Sequence, residues 1–429
     1  MLILLVAGCG VHSTCDRSYV AKGIKERTDY ELGQVTKPGG FQLPYGVLLD
    51  DGLTEDEAVA LALWNNAQFQ ADLAALGFAR ADLIEADMLA NPVFSLLFPI
   101  GPKALEMGLD VPIDFIWQRP RRLTAAKLDA QSLSENLIEH GLALIRDVHT
   151  TYADLWLAQK QARLALEATK VQIQIAELDQ ARLKAGDISE LAASSAYIDS
   201  LRAADTTKRL AKETTILKQR LSTLLGLVSD DTTFDIEPLD VTPGSTLSID
   251  ELQEMALAAR PDLRAAELDI EAAGERLGWE QSKIYNFIAI IDAKDEGQDS
   301  LSVGPGFVIE IPIFNQNNGR IARAKAELER AVRQYEAVRH NIILQVNQAH
   351  TQYVSANEEF ELWSNDIIPS LEQTVERTQK SFKAGEVPYT SVLEAQQILV
   401  EARMRQTESA AHLHRIAAEL NYCIGKKMI

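Results

Sequence analysis

Five short stretches of this chain occur twice, in the same order, about 200 residues apart, and that duplication restricts the fold more than any other feature. Leu53-Thr54-Glu55-Asp56-Glu57 is echoed by Leu247-Ser248-Ile249-Asp250-Glu251, and Val111-Pro112-Ile113 by Ile311-Pro312-Ile313. His149-Thr150-Thr151-Tyr152 returns as His350-Thr351-Gln352-Tyr353, and Lys184-Ala185-Gly186-Asp187 as Lys383-Ala384-Gly385-Glu386. Leu221 and Gly226 return as Leu420 and Gly425. The period is far longer than that of a solenoid, so the chain is a tandem pair of large structural repeats.

The repeats are expected over residues 53–228 and 247–425, joined by a polar, turn-rich linker at 229–246 and followed by a short tail at 426–429. Residues 9–52 read as an extended N-terminal arm, because Pro38-Gly39-Gly40 and Pro44 interrupt any helix there. Residues 1–8 read as the remnant of a signal peptide. Val6-Ala7-Gly8-Cys9 looks like a bacterial lipobox, in which small residues precede a cysteine that becomes lipidated, so Cys9 is the candidate lipidation site.

Each repeat opens with a capped amphipathic helix; Ser248 three residues before Glu251 is a capping-box spacing. The period then changes to two. Leu105, Met107, Leu109, Val111, Ile113, Phe115 and Trp117 are large and apolar, with Glu106, Gly108, Asp110, Pro112 and Asp114 between them. In the second repeat Leu301, Val303, Phe307, Ile309, Ile311 and Ile313 alternate with Ser302, Gly304, Gly306 and Glu310. Each of these strands is preceded by another apolar one, at 93–98 and 287–293, so each repeat carries a hairpin-like pair.

Long helices follow, from about residue 121 to 184 and from about 319 to 383, interrupted by a single proline, Pro369. A run of ~64 residues would make a helix of roughly 95 Å at 1.5 Å per residue. Gly186 and Gly385 mark the turns, where glycine supplies the positive φ of a helix C-terminus, and a return helix follows each. Leu157, Leu164, Val171 and Leu178 form one heptad seam, with Ala168 and Ile175 between them. Leu155, Ala162, Leu166, Ile173 and Ala176 form a second seam on another face, which implies neighbours on two sides, as in a bundle or a closed ring of helices.

A strand alternating over 13 residues, from Leu105 to Trp117, is longer than the ordinary strand and long enough for a tilted bilayer crossing. On that reading Leu109, Val111, Ile113, Ile309, Ile311 and Ile313 face lipid, and Glu106, Asp110, Asp114 and Glu310 face a water-filled lumen. Four strands cannot close an aqueous barrel, since small closed barrels need about eight. Three chains would supply twelve. The expected fold class is therefore mainly α with a small β part. Duplicated long helical hairpins would form a trimeric α-barrel, continuous with a shared twelve-stranded transmembrane β-barrel.

Several function classes fall away. Asp and Glu number 62 against 42 Lys and Arg, a net charge of −20, which disfavours nucleic acid as a partner. With 46% apolar and 24% charged residues the chain should fold, yet no apolar run is long enough for a spanning helix. Three cysteines, at 9, 15 and 423, form no CxxC pair or Cys/His cluster. The sequence lacks the phosphate-loop, nucleophile-elbow and zincin signatures, so neither an enzyme nor a cofactor is expected. His412 and His414, two apart on a helix, diverge and make a poor metal site, and no metal site is expected.

From about Leu53 to Gly425 the chain resembles the outer-membrane efflux protein family, the TolC-like exit ducts. The resemblance is carried by Leu-Thr-Glu-Asp-Glu-Ala at 53–58, by Arg260-Pro261-Asp262-Leu263 and by Pro312-Ile313-Phe314-Asn315 with Gly319. The paired Ala-Gly turns at 185–186 and 384–385 belong to the same pattern. It implies a homotrimer in the bacterial outer membrane, in contact with outer-membrane lipid and reaching into the periplasm, that docks through a periplasmic adaptor protein to an inner-membrane pump. Many relatives carry a lipidated N-terminal cysteine, which Cys9 would match. The implied role is a passive exit duct for small toxic compounds or metal ions. Ile313-Phe314-Asn315 and Gln118-Arg119-Pro120-Arg121-Arg122, read as strand ends, are similar to the metal-efflux branch.

Alignment on Gly385 puts Ser391 and Glu394 at the two acidic positions that narrow the periplasmic entrance in the family. Only Glu394 keeps the charge, and Val387 stands where a gate-locking arginine would be. Gly186, Asp187, Gly385 and Glu386 form the hairpin tips, and the two acidic residues are either helix N-cap groups or adaptor contacts. The competing reading is a soluble coiled-coil scaffold or adaptor protein without a membrane barrel.

Overall fold

The computed structural model describes residues 16–34, 40–49, 52–98, 100, 104–227, 234–241, 244, 247–295 and 301–428. Among them the chain forms ten α-helices, one short π-helical stretch and four strands. Cys9 and the stretch read as a signal-peptide remnant lie outside the described residues, as does half of the linker.

The chain divides into two compact units. One is drawn from residues up to Lys22, Ala71–Glu139 and Pro261–Asn341; the other from Gly23–Gln70, His140–Arg260 and Ile342 onward. Each repeat contributes to both units, so the repeats are halves of the sequence rather than separate bodies.

The arm expected to be extended contains helix α1, Arg17–Thr28. Asp16 starts it by accepting hydrogen bonds from the Ser18 and Tyr19 N–H groups (2.9 and 3.2 Å), and the residues that could not have continued it lie further on, at 38–40. Val20 and Ile24 are fully buried, which gives this segment the apolar face that the proline-based reading overlooked.

Helices α2 (Glu55–Asn65) and α6 (Ile249–Ala259) open the repeats with matched capping boxes: Thr54 with Glu57, and Ser248 with Glu251. They lead into α3 (Ala67–Asp87) and α7 (Pro261–Ser282). Strands β1 (Val93–Leu97), β2 (Leu105–Pro112), β3 (Phe287–Asp295) and β4 (Leu301–Ile309) form one antiparallel sheet in sequence order. Both hairpins are therefore present, and β2 pairs with β3 to join the two repeats.

The strands are shorter than the alternation suggested. β2 ends at Pro112, which has no N–H to offer the ladder. Helix α4 then runs from Phe115 to Ala185. Asp114, expected on the strand, instead sits at the start of α4, where its carbonyl accepts from the Gln118 N–H at 3.1 Å. The Ile113 N–H still reaches the Phe287 carbonyl at 3.0 Å, but the chain turns helical immediately afterwards. Ile113 and Trp117 are four apart, so the rhythm that looked like strand there also satisfies one face of a helix. Likewise β4 ends at Ile309, opposite Phe287, the first residue of β3, which leaves Ile311 and Ile313 beyond the sheet.

The arginines read as a strand end belong to α4. Arg119 pairs with Asp87 and donates to its carbonyl, while Arg122 donates to the carbonyls of Ala86 (2.9 Å) and Met88 (2.6 Å). They satisfy the last carbonyls of α3, which have no partners within that helix.

The return helix of the first repeat is α5, Glu190–Leu224. In the second repeat α8 (Asn318–Glu361) passes through a π-helical stretch, Leu362–Ile367, into α9 (Ile368–Lys383), and α10 (Tyr389–Ile424) returns. Pro369 explains the difference from unbroken α4: it lacks an N–H and its ring crowds the carbonyl four residues earlier, and the wider turn just before it relieves that clash.

Candidate functional site

The register of the sheet sorts its residues cleanly. Directly opposed residues share a face, so Leu105, Met107, Leu109 and Val111 lie with Ile291, Ala293 and Ala289 of β3. Leu301, Val303, Pro305, Phe307 and Ile309 of β4 continue that face, as do Phe94 and Leu96 of β1. It is apolar throughout until Asp295 at its end. The opposite face carries Glu106 and Asp110 with Asp292, Lys294 and Ser302, together with Ile288, Ile290 and Val308. Glu106 lies 3.9 Å from the Lys294 ammonium.

Every residue of β1 and β4 is exposed, including Phe94, Val303 and Phe307. These are the two outer strands, and each offers one unpaired edge. Past β4, Glu310 accepts from the Asn286 amide (3.1 Å) and Phe314 is 99% exposed.

The two hairpin tips are built alike. Gly186 has φ +83° and Gly385 φ +79°. The Asp187 N–H closes back on the Arg182 carbonyl and the Glu386 N–H on the Ser381 carbonyl, both at 2.9 Å. Asp187 and Glu386 thus end the outgoing helices through their backbone. The N-cap positions of the return helices belong to Ser189 and Pro388 instead. Leu191, just past the first tip, is 81% exposed.

Ser391 lies half-buried in the first turn of α10, and Glu394 is exposed one turn later. Glu394 lines a groove of about 740 Å³ with Asp179 of α4, Asp199 of α5 and Glu401 of α10; Asp179 and Asp199 are paired with Arg182 (3.3 Å) and Arg202 (3.2 Å), so Glu394 and Glu401 carry the groove's acidic character. Along α4 the first seam is covered: Leu164 is buried and Leu157, Val171 and Leu178 are half-buried. The second seam grows bare towards the tip, where Leu166 and Ile173 are 47% and 43% exposed.

One cluster escaped the sequence reading. Glu55, the first residue of α2, receives the His149 Nδ1 of α4 and the His414 Nε2 of α10 on the same oxygen, at 2.6 and 2.5 Å. All three side chains are about one-fifth exposed. Burial works against the charged Glu55 carboxylate. The two imidazole hydrogen bonds, reinforced by imidazole charge, overcome it and hold the pKa at about 2 against an ordinary 4.5. Next to it the Tyr30 hydroxyl meets Asp56 at 2.5 Å, and burial together with that carboxylate pushes the phenol pKa upward. In the sequence, Glu55 and His149 stand only in echoed stretches, and His414, 265 positions from His149, is read only as a poor pair with His412.

The family model described as "Outer membrane efflux protein" matches residues 252–426, most of the second repeat. The cobalt-zinc-cadmium resistance protein CzcC of Cupriavidus metallidurans is 23% identical over 386 residues, covering 87% of this chain and 90% of its own length. A solved structure of CusC, described in terms of transmembrane channel formation, superimposes with a TM-score of 0.70 at 19% identity, over 92% of this chain and 99% of that one. The outer membrane protein VceC of Vibrio cholerae superimposes with a TM-score of 0.70 at 16% identity, over 87% and 96% of the respective chains. The two superpositions establish the fold, and the sequence match runs through both repeats. The second repeat of this chain thus matches the outer membrane efflux protein family, and the chain as a whole shares the fold of CusC and VceC.

Proposed function

We propose that this protein is the passive outer-membrane duct of a tripartite efflux system, working as a homotrimer and performing no catalysis itself. One observation carries the reading: an open four-stranded sheet with one continuous apolar face, exposed on its two outer strands and half-covered on β2, and an unpaired edge on each outer strand. A sheet of that kind is unstable alone in water. Joining edge to edge with two further copies would satisfy its backbone groups, close twelve strands and turn the apolar face to lipid. Among the described residues no helix is long and apolar enough to cross a membrane, so the sheet is the only described element suited to a bilayer.

The half-covered second seam of α4 fits the same assembly, since Leu166 and Ile173 need a neighbouring helix to bury them. Driving force would come from an inner-membrane pump linked by an adaptor protein that grips the hairpin tips around Gly186, Asp187, Gly385 and Glu386. Glu106, Asp110 and Glu310 would line the lumen, and Leu109, Val111 and Ile309 would face lipid. Ile311, Ile313 and Asp114 lie beyond the strands and would serve at the barrel rim. The carboxylates of Glu394 and Glu401 in the groove favour cations, and CzcC is named for resistance to cobalt, zinc and cadmium, so metal ions are the proposed cargo class.

The test is fractionation and conductance. The chain should partition with outer membranes, run as a trimer that dissociates on heating and open pores in planar bilayers. A monomer that purifies without detergent would instead identify a soluble scaffold. Within working pores, Glu394→Ala should weaken blockade by multivalent cations several-fold; unchanged blockade removes Glu394 from the entrance.

A further inference from the structure

We propose that Glu55, His149 and His414 form a binding site for one borderline divalent transition-metal ion of the zinc, cobalt or nickel class. None of the three belongs to the sheet or lines the Glu394 groove. Two imidazole nitrogens and one carboxylate oxygen are a donor set that such ions favour over magnesium or calcium, which prefer all-oxygen shells. The three donor atoms lie within 4.8 Å of one another. They come from three helices, α2, α4 and α10, so they converge by tertiary packing and not through the i, i+4 accident of a single helix.

Around a tetrahedral zinc with bonds of 2.0–2.3 Å, ligand atoms stand about 3.3 Å apart. The present nitrogen–oxygen separations of 2.6 and 2.5 Å are hydrogen bonds and need to open by only about 0.7 Å to admit the ion. Each imidazole would bind as the neutral tautomer with its metal-facing nitrogen unprotonated, so the two hydrogen bonds are exchanged for two coordinate bonds. Three protein ligands leave one position open, and the cluster borders a cavity of about 310 Å³ that can hold the fourth ligand.

The charges around that cavity are mixed. Asp56 and Asp240 line it on the acidic side, with Arg146, Lys426 and Lys427 on the basic side. Lys427 is engaged over the Tyr30 ring at 5.5 Å, and Arg146 pairs with Asp147 at 2.7 Å and stacks on Tyr422. Lys427 and Arg146 are therefore already directed at other partners. An ion here would clasp α2 and α4 of the first repeat to α10 of the second.

The experiment uses the full chain, purified in detergent, stripped with chelator and dialysed against micromolar Zn²⁺ in the presence of millimolar Mg²⁺, which suppresses loose binding to an acidic surface. Mass spectrometry should count one zinc per chain. Co²⁺ in place of zinc should give visible absorption bands of a low-coordinate N/O site. The pair His149→Ala and His414→Ala should abolish both signals, whereas His350→Ala, at the echoed position, should leave them intact. His414→Gln keeps a donor for Glu55, so it should retain the chelator-treated protein's Tm while losing the metal. Wild-type protein holding less than half a zinc per chain, or a double variant holding as much as wild type, overturns the proposal and leaves the cluster a hydrogen-bonded clamp. The readout is bound metal rather than transport, so it succeeds or fails independently of the duct reading.

Discussion

Tyr152 and Tyr353 are fully buried, occupy echoed positions and do the same job: each carries its hydroxyl to the backbone of a connecting segment. Tyr152 reaches the Leu53 and Glu237 carbonyls at 2.8 and 2.9 Å; Tyr353 accepts from the Gly244 N–H at 3.1 Å. The glycines show a finer contrast. Gly186 and Gly226 both have positive φ, but a Cβ on Gly186 would meet open space, while one on Gly226 would fall 2.4 Å from the Asn65 carbonyl oxygen. Gly186→Ala should cost about 1 kcal/mol, the ordinary penalty of left-handed backbone. Gly226→Ala should cost several times that amount, because backbone rather than a flexible side chain must move; thermal denaturation of the two variants side by side checks the ordering. Cys423 yields a chemical prediction. Burial, followed by the nearby Glu419, pushes its thiol pKa from 9.0 up to about 12. At pH 8 the thiolate is scarce and shielded, so peptide mapping should find Cys423 unmodified by iodoacetamide in the native protein and modified once it is unfolded.

At the scale of elements, the alternation around Val111 and Ile311 was legible in the sequence, and the sheet has the two faces it implied. The strand ends were not legible. Pro112 and the N-terminal start of α4 cut β2 to eight residues, while a helix with Ile113 and Trp117 on one face continued the same rhythm. Because Leu109 and Ile309 sit within the apolar face, replacing either by arginine should cost ~2–4 kcal/mol if that face meets the bilayer midplane. Trimer yield in membranes should drop accordingly, and normal yield from both variants would count against lipid contact. The helical hairpins were equally legible, since heptad seams and glycine turns are local signals. The π-helical stretch before Pro369 was not, because how a helix absorbs a proline depends on what packs around it.

For the whole molecule, an edge-exposed sheet and a half-covered seam are the surfaces that the proposed trimer would cover. Stability should then depend on protomer concentration, and dilution in detergent below the proposed trimer's dissociation constant should lower the melting temperature; an unchanged melting temperature would count against the trimer. The sequence by itself determined the duplication, the order of helices and hairpins and the faces of strands and helices, because periodicity, caps and turn residues act over a few neighbours and are written in order along the chain. Tertiary structure alone decided how the repeats divide between two compact units, where the strands stop, that the arm carries α1, and that Glu55, His149 and His414 meet. Contacts between residues tens to hundreds of positions apart leave no periodic trace; only the packing of one helix against another brings such side chains within bonding distance.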